Sequence, residues 1–356
     1  MSNISNTRGA KTLSLSDSRM VETLLETVNT DVPPSFIHVC DSAISESNTA
    51  LRVALSDQTV RRAVSELAKH GYFQYLSRDG ESRFVHRQRI PTLWNPVVSG
   101  EVEVSSTGVL YSLQEPDSAV YGLLVIFSGM SGDASMASLY RHFAQTYRHI
   151  GGLIPGGIAI LRIADLGGVN GAFYSDTVEV PDNRRRITEL IKEVQARLSV
   201  PNSDVVLLGS SKGGSAALLH GYYGNWNFVA VDPILSDKYY EENMNDSHFT
   251  GGGVFRESKD SLFGRIGPLM SGGGLEEVSR VFLTSERSAQ YQLVAEFGEA
   301  LGRDVCTVLE LHDNRIRSHP EVAKYGLWLT VSLVSRMLAG VGPDYSLEKL
   351  HGVSRL

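Results

Sequence analysis

A serine set between two glycines gives this chain a nucleophile to consider. Residues 204–218, DVVLLGSSKGGSAAL, contain Gly209-Ser210-Ser211-Lys212-Gly213, a G-x-S-x-G spacing centred on Ser211. The apolar run before it reads as a strand and the pattern after it as a helix. A strand-turn-helix of this kind strains the backbone of the central residue, and small residues on both flanks let strand and helix approach closely enough to hold it. The hydroxyl is then exposed, and the N–H groups that open the helix face any oxyanion formed beside it. The competing reading is a glycine-rich turn for phosphate. Lys212 invites it, but the G-x-x-x-x-G-K-[ST] pattern is absent.

A serine hydroxyl is a poor nucleophile at neutral pH, so Ser211 needs a base and a carboxylate to orient that base. In the chain order Ser, acid, His, both are present. His319 follows a strand ending at Leu311 on a stretch long enough to swing back over the turn. His312, directly after that strand, is the rival, and His319 is preferred because a catalytic histidine needs a loop with reach. For the acid, Glu286, just past a strand over 281–284, is preferred, and Asp232, at the end of an earlier strand and before Pro233, is the alternative. The oxyanion donors expected are the backbone N–H of Lys212 and that of Gly129 or Met130, in the turn Ser128-Gly129-Met130-Ser131-Gly132-Asp133. Asp165 and Tyr174, in the long Gly-rich loop ADLGGVNGAFYSDT, are expected to contact substrate. Cys40 and Cys306 are far apart and without metal-ligand spacing, so neither a disulfide nor a metal site is expected.

These residues need a scaffold. Buried strands are predicted at YGLLVIF (121–127), GIAILRI (157–163), 204–208, NFVAVDPI, 281–284 and 305–311. Helices are predicted after the 128–133 turn through about Arg148, over Asn183 to Leu198, from about Gly214, around Tyr291 to Leu301, and over about Pro320 to Met337. Strand and helix alternating in this way give an α/β fold, α/β-hydrolase-like, with a mostly parallel sheet covered by helices on both faces and a site at the strand carboxyl ends. The catalytic domain is placed at 101–340, with an irregular, cap-like insertion at 236–279 that includes Gly251-Gly252-Gly253 and Gly272-Gly273-Gly274. Residues 1–18 are expected to be a disordered tail, 19–100 a helix-hairpin region, and 341–356 a C-terminal tail. In the N-terminal region a helix over about Thr59 to His70 precedes a hairpin turning at Asp79-Gly80. One helix and one ribbon do not make a winged-helix DNA reader, so a lid or interaction role is preferred.

The chain has 356 residues, 42% of them hydrophobic, enough for a sizeable core, and a formal net charge of −7, which argues against a nucleic-acid partner. The polar N-terminus and the lack of any run of about 18 apolar residues predict a cytoplasmic protein without a membrane span. A small-molecule or glycan substrate is expected, and the sequence leaves the oligomeric state open.

The combination VIFSGMSGD, ILRIADLGGVNGAFY, GSSKGGSAAL and VAVDPI resembles the XcbB/CpsF family of capsular polysaccharide biosynthesis proteins, over most of the chain. The resemblance implies an α/β-hydrolase-like core and a role near cell-surface glycan assembly, as an O-acyltransferase; from another function class, a non-catalytic assembly component of surface polysaccharide biosynthesis is kept as a second alternative. Ser211 is the residue the resemblance carries over; Glu286 and His319 rest on chain order. The expectation is an acyl-transfer enzyme with no bound cofactor and an acyl donor such as acetyl-CoA as co-substrate. The alternative is an esterase, thioesterase or peptidase.

Overall fold

The computed structural model describes residues 9–133, 135–271, 278–341 and 352–356. Two sheets organise them. In the N-terminal region β1 (Ala10–Ser14), β2 (Phe36–Cys40), β3 (Tyr72–Arg78) and β4 (Glu81–His86) lie in the order β1-β2-β4-β3. β3 and β4 form the expected hairpin, with Asp79 and Gly80 at φ 52° and 77°, as a two-residue primed turn requires. The helix Gln58–Lys69 starts at Asp57, whose carboxylate accepts from the Thr59 and Val60 N–H groups, and stops before Gly71, at φ 76°. It buries Val60, Val64 and Leu67 in a core shared with the helix Met20–Val28.

The second sheet has nine strands. β5 (Glu103–Val104), β6 (Leu110–Gln114), β7 (Gly122–Phe127), β8 (Ile158–Ile163), β9 (Val205–Ser210), β10 (Asn227–Val231), β11 (Arg280–Thr284), β12 (Thr307–Leu311) and β13 (Val353–Arg355) take the order β13-β12-β11-β10-β9-β7-β8-β6-β5. The central strands β12 through β8 are parallel, and β13, β6 and β5 add antiparallel edges. Alternation along each strand divides the core. Leu123, Val125, Phe127, Leu207 and Phe228 pack on one face with the helices Asn183–Arg197, Lys212–Gly224 and Tyr291–Leu301. Leu124, Ile126, Leu208 and Val229 pack on the other with the helix Leu327–Leu338. Each such buried aliphatic side chain contributes about 1.5–3 kcal/mol. No helix among the described residues is long and apolar enough to cross a membrane.

Several expectations are corrected. Residues 10–14, read as tail, form β1, a polar edge strand with Leu13 alone buried; residues 1–8 lie outside the described residues. Residues 353–355, also read as tail, form β13. The stretch 133–148 is not a long helix. It holds the 3₁₀ turn Leu139–His142, because the Arg141 guanidinium turns inward to the carbonyls of Gln74, Ser138 and Val169 and His142 Nδ1 bonds to Asp165 O. The insertion 236–279 contains the helices Lys238–Asn243 and Lys259–Ser271, while Gly272-Gly273-Gly274 lies outside the described residues. The final helix breaks into His319–Tyr325 and Leu327–Leu338 at Gly326, where a Cβ would sit 2.7 Å from the Val322 carbonyl oxygen.

Candidate active site

β9 runs straight into the turn at Ser211, whose φ and ψ are 56° and −121°, and the helix Lys212–Gly224 begins at the next residue. A non-glycine residue pays strain for this conformation. Crowding explains the flanking glycines. A Cβ on Gly209 would lie 2.0 Å from Gly213 O, and one on Gly213 would lie 2.3 Å from Phe127 O. The Ser211 N–H donates to Val231 O at 2.9 Å, which ties the turn to β10.

His319, the first residue of its helix, reaches back over this turn. Ser211 Oγ lies 2.8 Å from His319 Nε2, and His319 Nδ1 lies 2.6 Å from Asp232 Oδ2. A carboxylate accepts only, so Nδ1 carries the proton and Nε2 is free to accept the serine's. The acid in the site is therefore Asp232, not Glu286. β10 lies beside β9 with Val231 opposite Ser210, so the residue after β10 arrives next to the residue after β9. Glu286 is exposed. The end of β11 and the loop after it serve the site through other side chains: Thr284 Oγ1 donates to Asp232 Oδ1 at 2.7 Å, and Ser288 Oγ donates to Oδ2. Asp232 is 1% exposed, and these bonds give its buried oxygens the partners that burial demands. His312 is a surface histidine bonded to Ser354 Oγ at 2.7 Å, away from Ser211.

Gly129 and Met130 line the same cavity as Ser211 and His319, a space of about 590 Å³. The neighbouring Ser128 N–H is occupied by Tyr174 Oη at 2.7 Å. A Cβ on Gly129 would sit 3.3 Å from Ser210 O, so a small residue lets this loop lie against the elbow. The Lys212 N–H opens the helix from the other side, where the helix dipole also favours negative charge.

Asp165 and Tyr174 do not line the cavity; both are buried beneath it. Asp165 accepts from the N–H groups of Ala172, Phe173 and Tyr174 at 3.1, 3.1 and 2.9 Å and pairs with Lys212 Nζ at 2.8 Å. Tyr174 Oη donates to Ile163 O at 3.1 Å. The pair braces the turn after β7, through the Ser128 N–H, and the start of the helix Lys212–Gly224, through Lys212, the two segments expected to carry oxyanion donors. Gly171 leaves room for this, since a Cβ there would lie 2.2 Å from Asp165 Oδ2. Sequence reasoning missed Thr284 and Ser288, which belong to no motif, and also His248 and Thr146, which line the cavity from segments distant in sequence.

No protein-family model and no curated protein matches this sequence. Among solved structures, the Glycosylation Associate Protein (Gap123) complex from Streptococcus agalactiae is similar over 69% of this chain, at 18% identity and TM-score 0.48. This chain covers 47% of that one, about half its length. A Pyrobaculum calidifontis esterase matches 67% of this chain and 84% of its own, at 13% identity and TM-score 0.49. An S-formylglutathione hydrolase from Agrobacterium tumefaciens matches 68% and 94%, at 12% identity and TM-score 0.48. The chain's own topology carries the expected α/β-hydrolase-like arrangement, a mixed sheet of mostly parallel strands with helices on both faces and a strand-turn-helix at Ser211.

Proposed function

We propose that the protein is a serine-dependent acyl-transfer enzyme. The observation that carries this reading is the hydrogen-bonded series Ser211, His319, Asp232 at the carboxyl ends of the parallel strands. Ser211 Oγ attacks the carbonyl of an activated ester or thioester, with acetyl-CoA as one donor class; His319 takes its proton and passes it to the departing alcohol or thiol as the bond to that group breaks, leaving the acyl group on Ser211. Asp232 holds the imidazole in its tautomer and stabilises the imidazolium, and the N–H groups of Lys212 and of Gly129 or Met130 stabilise the oxyanion, each worth about 3 kcal/mol.

Two features support transfer to a hydroxylated acceptor. The resemblance to capsular polysaccharide proteins favours a sugar hydroxyl. The helix Lys238–Asn243 and the residues after it wall the cavity through Tyr240, Met244, Ser247 and His248, which limits the water that competes for an acyl-enzyme.

A fluorophosphonate probe tests the nucleophile: it should label the wild type and not Ser211→Ala. A folded wild type that resists labelling sinks the enzyme reading. Acetyl release from acetyl-CoA, followed with and without a glycan acceptor, then separates transfer from hydrolysis.

A further inference from the structure

The triad leaves a second histidine of the cavity without a role. His248 is 8% exposed, lines the cavity with Ser211 and His319, and its Nδ1 is buried with no hydrogen-bond partner among the described residues. Its ring stacks on Tyr240, with centroids 3.7 Å apart, and tilts against Phe173.

The loop that presents it is held under strain. Asn245, Asp246 and Phe249 have φ of 47°, 44° and 55°. Asparagine and aspartate tolerate this region; phenylalanine does so at a cost, which marks a conformation imposed by its surroundings. The N-terminal region imposes it. Arg61, on the helix Gln58–Lys69, donates to the carbonyls of Asn245 and Asp246, pairs with the Asp246 carboxylate, and lies 4.5 Å over the Phe249 ring. Asn170 Nδ2 donates to Ser247 O at 2.9 Å.

The electrostatics of the cavity narrow what it accepts. Among the described residues no Lys or Arg lines it, and the one carboxylate that does is that of Asp232. Lys212 and Lys259 stand behind it, each paired with its own carboxylate, Asp165 and Asp237. Burial first, then the positive charges of Lys259 and Lys212, pushes His248 down to about 3, so its ring is neutral and offers one donor and one acceptor nitrogen. Thr146 Oγ1, from another wall, is also buried with no hydrogen-bond partner among the described residues.

We propose that His248 is the acceptor-binding residue of the site: it hydrogen-bonds a second hydroxyl of an uncharged polyol whose first hydroxyl takes the acyl group, with Thr146 available to a further one. The assignment of that polyol as acyl acceptor rests on the acyl-transfer reading; the binding itself does not. In the transfer step the first hydroxyl's oxygen attacks the acyl carbon of the Ser211 ester and its proton passes to His319 Nε2. The bond from that carbon to Ser211 Oγ breaks, and Oγ takes the proton back from His319. A sugar acid or sugar phosphate would meet Asp232 and, among the described residues, no unpaired cation lining the cavity.

The test is binding, measured in Ser211→Ala so that no turnover is needed. NMR titration with methyl α-D-glucopyranoside and with its uronate should show the neutral glycoside bound at least about tenfold more tightly. Adding His248→Phe should weaken the neutral glycoside about tenfold, and His248→Gln, which keeps a neutral donor and acceptor, should restore most of it. Absence of glycoside binding, equal affinity in the Phe and Gln variants, or tighter binding of the uronate overturns the proposal. A wild type that binds the glycoside through His248 yet resists the fluorophosphonate supports the binding site and refutes acyl transfer alone.

Discussion

The Asp232 carboxylate and the His319 imidazole meet at 2.6 Å, although Glu286 stands at the station where chain order alone would seek the acid. Asp232 is buried and takes three side-chain hydrogen bonds, whereas Glu286 is exposed. Replacing Asp232 by Asn leaves the shape intact but favours the wrong tautomer of His319. Hydrolysis of p-nitrophenyl acetate should fall by about 10³–10⁴ in kcat for Asp232→Asn. Glu286→Gln should stay within about threefold of wild type, since it removes only an exposed charge. A large loss in Glu286→Gln with activity retained in Asp232→Asn would reverse the assignment.

Gly213 is fixed by contact with Phe127. Its missing Cβ would stand 2.3 Å from the Phe127 carbonyl oxygen and 3.1 Å from that of Ser128, both backbone atoms that cannot rotate away. Gly213→Ala must therefore push the helix Lys212–Gly224 off β7, moving the Lys212 N–H away from the loop that carries Gly129. Overpacking of this kind costs about 1–3 kcal/mol. The urea midpoint should fall accordingly, and fluorophosphonate labelling of the protein that remains folded should be slower than wild type. Unchanged labelling and midpoint would mean that the elbow has slack the close approach denies.

Much of the sheet was legible because its strands announce themselves. YGLLVIF and GIAILRI are apolar on both faces, and the structure packs Leu123, Val125 and Phe127 one way and Leu124 and Ile126 the other. Ser211 and His319 were legible from their spacing and reach. The acid was harder: sequence order does not reveal that β10 is the neighbour of β9, and only the pairing of Val231 with Ser210 brings Asp232 beside Ser211. β1 and β13 are short edge strands that bury one residue each, too little for a periodic signal. Asp165 and Tyr174 were singled out from a loop that does matter, but their side chains turn into the protein, a choice made by the partner Lys212 and by the glycine at 171.

Lys212 carries two jobs on one residue. Its N–H opens the helix beside Ser211, while its side chain, 1% exposed, is paired with Asp165 below. Lys212→Met keeps the N–H and most of the volume but strands the Asp165 charge in the interior. Breaking one side of a buried pair costs about 3–5 kcal/mol. The expected outcome is a loss of that size in denaturant unfolding, with Lys212→Arg intermediate because the larger fork must fit beside Gly171. A Lys212→Met variant as stable as wild type would show that water or a neighbouring group compensates Asp165.

Acid should weaken the fold through histidines buried in their neutral form. His220 sits on the buried face of the elbow helix Lys212–Gly224, bonded to Thr188 Oγ1 at 3.0 Å and to Tyr174 O at 3.2 Å and stacked on Phe127. Burial, offset in part by the Tyr174 carbonyl, pushes it down to about 3 from 6.5. His248 is depressed to about 3 as well, and His142 is lowered by its own burial and then by Arg141. Above pH 6.5 these groups are neutral in both states and cost nothing. Between 6.5 and about 3 the unfolded chain binds protons that the folded chain refuses, so each group removes about 1.4 kcal/mol of stability per pH unit. The urea midpoint should therefore drop steadily from pH 6.5 to 5, and His220→Gln, which is neutral throughout, should flatten that slope by about one histidine's share while lowering stability at pH 7.5. A wild-type midpoint that does not move over this interval, or a His220→Gln slope equal to wild type, would mean that protons reach these rings in the folded protein.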